Sequence, residues 1–133
     1  MSSAPKLKTN QIDQPFRPPG VYSPEGHLLK DLGVWHTDWE KMRHVNTSFI
    51  HAGLICVDTI YVGVDQSGGY APEPMIFKTE VLSRVPSTKW GHQISDVVFY
   101  PNFETASRGH LLVTEKWSNF THFLKYLWKH HQW

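Results

Sequence analysis

Three polar groups in this 133-residue chain have the types needed for proton chemistry: Asp65, Glu80 and His110. Histidine ordinarily titrates near neutrality, so His110 facing a carboxylate such as Glu80 or Asp96 would be a general base. Asp65 closes an apolar run, and a carboxylate at a strand end can meet a ligand. Each group also has a plainer role. Asp65 opens the loop Gln66 to Gly69, whose amides it can bind, and His110, beside Gly109, reads as a buried, hydrogen-bonded structural histidine. No sequence-distant nucleophile identifies itself, so the preferred reading is non-catalytic. A nucleotide-like ligand site or a hydrolytic pocket at one end of the sheet, built on Asp65, Glu80 and His110, is the alternative.

Other chemistries find less support. Gly68-Gly69 is followed by Tyr70 and two prolines, which cannot open a helix as a phosphate-binding loop must. The nine histidines form no tight ligand motif with a carboxylate on one helix face, so neither a metal nor another cofactor is expected. The single cysteine, Cys56, lies in an apolar run and excludes an intrachain disulfide. A net charge of +1 offers no field for nucleic acid. No run approaches a membrane span and the amino terminus lacks a signal-like apolar stretch, so a cytoplasmic setting, or association with a virion, is expected.

The elements that must position these groups follow from period and punctuation. Length alone suggests one domain. Residues 1–21 are polar and proline-rich and read as an extended arm, with Phe16 as an apolar anchor. Trp35, Trp39 and Met42 predict a short helix that Thr37 or Asp38 would cap. Strands are expected over VNTSFIH (45–51), Leu54–Asp65, MIFKTEVLS (75–83) and QISDVVFY (93–100). In the second strand Ile55, Val57, Thr59 and Tyr61 share one face, and Cys56, Asp58 and Ile60 the other. Both faces are largely apolar, as in a strand covered on both sides. Short connections favour an antiparallel meander. Asn102 then caps a helix over 103–117, in which Gly109 costs about 1 kcal/mol against alanine, a cost that points to close backbone packing.

Residues 118–133 carry the clearest pattern in the chain. Phe120, Phe123, Leu124, Leu127 and Trp128 fall at i, i+3, i+4, i+7 and i+8, an amphipathic helix whose polar face is lysine and histidine, with no acid after Glu115. With Phe16 these are the candidate interface residues, for a homo-oligomer or a protein partner; a membrane-surface helix is the other use of such a stripe.

The stretches VDTIYVGVDQ (57–66), PMIFKTEVLS (74–83) and YPNFETASRGHLL (100–112) resemble, in order and spacing, a family of small uncharacterised bacterial and bacteriophage proteins. That family carries a VSTVWLGLD-like strand, a glycine- and proline-rich loop, a FETMVF-like strand, then a tyrosine, a small cap and an EEALAGH-like helix. YSPEGHLL and VWHTDWEKMRHV match its opening turn and tryptophan-bearing helix. The resemblance covers about residues 22–115; Gln66, Lys78, Glu80 and the longer 83–92 loop depart from it. It implies a fold and a phage or bacterial origin and carries no mechanism. The expectation is an α+β domain over 22–117, with a three- or four-stranded antiparallel sheet under the 103–117 helix and an amphipathic helix after it. Its work would be binding, as an accessory protein or a minor virion component.

Overall fold

The computed structural model describes residues 17–84 and 93–130. The arm residue Phe16, the 85–92 connection and the last three residues lie outside the described residues. Within them the fold is α+β: one four-stranded antiparallel sheet, in the order β1-β2-β3-β4, with three helices. The strands are β1 (His44–Ile50), β2 (Ile55–Tyr61), β3 (Phe77–Ser83) and β4 (Gln93–Tyr100). Helix α1 (Leu32–Met42) precedes the sheet; α2 (Phe103–Ser118) and α3 (Phe120–His130) follow it.

Helix α1 begins ahead of the Thr37 or Asp38 cap that its tryptophan spacing suggested. The cap is Asp31, whose side chain accepts from the Gly33 amide at 2.8 Å; Gly33 masks this start in the sequence because glycine reads as a breaker. Trp35, Trp39 and Met42 pack against the core, as their spacing required. Strand β2 ends at Tyr61, short of Asp65, because Gly63 takes φ of 80° and any side chain there would strike the Trp35 indole.

The β1–β2 turn is backbone-strained, with His51 at φ 53° and Ala52 at φ 58°. A bond from elsewhere holds it: the His51 imidazole donates from Nε2 to the Trp117 carbonyl at 2.6 Å and stacks on Phe123. The turn thereby satisfies a carbonyl of the last turn of α2.

Alternation divides the sheet into two unlike faces. On the covered face Ile55, Val57, Thr59 and Tyr61 of β2, and Phe77, Thr79, Val81 and Ser83 of β3, are all fully buried. Helix α2 lies over them with Ala106, Gly109, His110, Val113 and Trp117 turned inward. Asn102 starts that helix by accepting from the Thr105 amide at 2.8 Å. Asn102→Ala should cost about 1 kcal/mol in urea unfolding, because an orphaned helix amide loses its acceptor.

Two apolar clusters fill the covered face. Ile55, Val57, Val81, Val113, Trp117, Phe123 and Tyr126 form one. The other contains Tyr22, Tyr61, Ile76, Phe77, Tyr100 and Ala106. Between them runs the row in which Thr59 pairs with Thr79, so the core is apolar at both ends and polar across its middle.

Candidate functional site

The polar middle is the most organised chemical feature of the described residues. His110, fully buried on α2, meets the Thr59 hydroxyl with Nδ1 at 2.7 Å and the Ser48 hydroxyl with Nε2 at 2.8 Å. Thr59 also shares a hydrogen bond with the Thr79 hydroxyl, at 2.5 Å. Burial lowers the His110 pKa below its usual value, and the charge of Asp58 only partly opposes this. The ring is therefore neutral near pH 7, donating from one nitrogen and accepting at the other.

A neutral imidazole 2.8 Å from a serine hydroxyl is the geometry of a base and a nucleophile. The other partner differs from that of a hydrolase. A carboxylate on the second nitrogen would stabilise the imidazolium formed on proton transfer, whereas the Thr59 hydroxyl carries no charge. Asp58 cannot serve, since it follows Val57 on the opposite face of β2, where it accepts from Thr47 at 2.7 Å. As built, the cluster serves better as a strut that ties α2 to three strands than as a proton-transfer relay.

Asp65 lies beyond β2 and knots a loop. Its Oδ1 accepts from the amide and hydroxyl of Ser67, at 3.0 and 2.7 Å, and from the Met75 amide at 3.0 Å. Its Oδ2 takes Nε of Arg17 at 3.1 Å, so the chain entering the domain is pinned at the same point. Burial alone would raise its pKa, but the Ser67 hydroxyl, the two amides and Arg17 outweigh it and hold the group at about 2. Because the folded value lies below the ordinary 3.8, the stabilisation is complete above pH 3.8 and is lost as pH falls through about 2. Asp65→Asn should cost on the order of 2 kcal/mol at pH 7 and flatten the acid limb of a stability–pH curve.

Glu80 sits in the middle of the open face of the sheet, opposite Asp58 on β2, and is ion-paired with Lys78. Asp65, Glu80 and His110 thus occupy a loop, the open face and the covered face respectively, and the fold does not bring them together. His110 instead gathers Ser48, Thr59 and Thr79. The inward alternation of β2 and β3 placed both threonines in the core; nothing local marked Ser48, which reaches His110 through strand register alone.

The tail helix divides its apolar arc. Phe123 and Tyr126 enter the core and Leu127 packs against it, while Phe120, Leu124 and Trp128 stand 64%, 47% and 74% exposed. Tyr126 is a core residue outside the sequence-derived stripe. The Lys125 and Lys129 side flanks the exposed strip. Among the described residues no group of three or more histidine, cysteine, aspartate or glutamate side chains is placed to hold a metal, and no helix is long and apolar enough to cross a membrane. Set against known protein families, curated proteins and solved structures, the chain matches none.

Proposed function

We propose that this protein works by binding rather than catalysis, as a small accessory protein of phage or bacterial type acting in the cytoplasm, with its tail helix as the docking element for a protein partner. The carrying observation is the exposure of Phe120, Leu124 and Trp128, one turn apart along α3. Three large apolar side chains in one strip cost solubility unless something covers them, and their spacing is that of a helix seated in a groove. The likeness of residues 22–115 to small phage and bacterial proteins supports the biological setting.

Deleting the tail would be a poor test, since it removes Phe123 and Tyr126 from the core. The double substitution Leu124→Glu/Trp128→Ser leaves both in place. It should change unfolding free energy by less than about 0.5 kcal/mol while abolishing partner capture and any tail-dependent association in native mass spectrometry. If every association survives the double substitution, the tail is not the docking element.

The 2.8 Å contact between Ser48 and His110 supports a second reading, a hydrolytic site. A fluorophosphonate probe that labels Ser48 in the wild type and not in His110→Gln would favour it; an unlabelled Ser48 retires it.

A further inference from the structure

The open face of the sheet is not built like a face meant for water. Helices α2 and α3 pack on the covered face, yet the opposite face carries Phe49, Val97 and Phe99, all exposed, around the half-buried Ile60 and Leu82. An antiparallel sheet with one solvated face normally alternates apolar with polar residues. Here β3 alternates with Lys78 and Glu80, but Phe49, Ile60, Leu82, Val97 and Phe99 put large apolar side chains around those charges, and an apolar area of that extent calls for a second layer. We propose that this layer is a second copy of the chain, the two open faces packing as a sheet-on-sheet sandwich about a two-fold axis.

Charge placement argues for a copy rather than an unlike partner. Across the open face, register puts Thr47, Asp58, Glu80 and Val97 in one row and His44, Ile60, Lys78 and Phe99 in the next. The first row is acidic; the second carries the lysine. A two-fold axis lying between these rows and perpendicular to the strands lays each row over the other row of the mate. Glu80 then faces the mate's lysine, and Val97 faces the mate's phenylalanine, in both halves at once. Such reciprocity is what an isologous contact requires. The size is that of a small interface, at the weak end of specific association. Four strands of about seven residues span roughly 19 by 23 Å, so two copies cover on the order of 900 Å² before side-chain relief, near the ~1,000 Å² that a specific interface needs. Aligned sandwiches of this kind keep their strands within about 30° of one another.

The contact is independent of the tail helix, and one experiment separates them. The full chain at about 50 µM should run as a dimer in light scattering coupled to gel filtration. Lys78→Glu and Glu80→Lys each make the shared surface repel its copy, and should raise the dissociation constant by at least about tenfold. Mixed one to one, the two variants should form a heterodimer, because each now carries the charge the other lacks; that recovery also shows that both are folded. A monomeric wild type overturns the proposal, as does a failure of the two monomeric variants to pair. A dimer indifferent to both substitutions but dissociated by Leu124→Glu overturns it too, and assigns self-association to the tail.

Discussion

Gly109→Ala is expected to be among the most damaging single substitutions in this chain. A Cβ built on Gly109 meets ring and hydroxyl atoms of Tyr100 at 2.1 to 2.4 Å, far inside van der Waals contact. Tyr100 has little freedom to retreat: it is buried, it ends β4 opposite Phe77, and its neighbours form one apolar cluster. Alanine is the better helix former by about 1 kcal/mol, so propensity alone predicts a gain. Overpacking wins, because α2 must lift from the sheet along the line where His110 is bonded; a loss of about 3 kcal/mol or more is expected. Urea unfolding measures it. The control is Tyr100→Leu, which shortens the ring out of the contact: if steric conflict is the cause, Gly109→Ala should cost much less in that background. Equal costs in the two backgrounds would place the damage elsewhere.

The Tyr100 hydroxyl shows how tight this junction is. It is buried without a well-aligned hydrogen-bond partner among the described residues. Burial pushes its pKa up, moderated by the nearby Thr79 hydroxyl. A polar atom left in that state is tolerated only where the ring around it is worth more than the hydroxyl costs.

Much of this architecture was legible because local signals agreed with the global fold. Phe77, Thr79 and Val81 alternate cleanly with charged residues and are buried as that alternation requires. Asn102 caps α2, and Gly109 is the close-packing glycine its helix-interior position suggested. What was not legible depends on distance or on degeneracy. Ser48 and His110 are 62 positions apart, and only the pairing of β1 with β2 brings them into contact. The tail is degenerate in another way. Phe120, Phe123, Leu124, Leu127 and Trp128 form one continuous apolar arc, and periodicity alone does not say which edge of it turns inward. Packing against Trp117 and His51 chose Phe123 and brought Tyr126 in with it.

His110→Ala should be as costly as the glycine change and should carry a pH signature that the glycine change lacks. Removing the ring opens a cavity between α2 and the sheet and strips the Ser48 and Thr59 hydroxyls of their imidazole partner. Cavity and lost hydrogen bonds act in the same direction, for about 3 to 5 kcal/mol. In the wild type the folded His110 pKa lies below its ordinary 6.5. The unfolded chain therefore binds the proton more readily, and folding stability rises with pH through this window. The contribution is complete above pH 6.5 and is lost as pH falls through the lowered folded value. An alanine variant has no such group, so its stability should depend less on pH below 6.5 than that of the wild type. The Thr59→Val variant separates the strut from a catalytic role. It keeps the volume of the core but leaves Nδ1 of His110 and the Thr79 hydroxyl without the partner that joins them, and should cost about 1 to 3 kcal/mol. If His110 is a strut, Thr59→Val and His110→Ala lose stability together and leave dimer mass and partner capture unchanged wherever the variants remain folded. Near-wild-type stability of His110→Ala would dismiss the strut, and would direct attention back to the serine hydroxyl beside it.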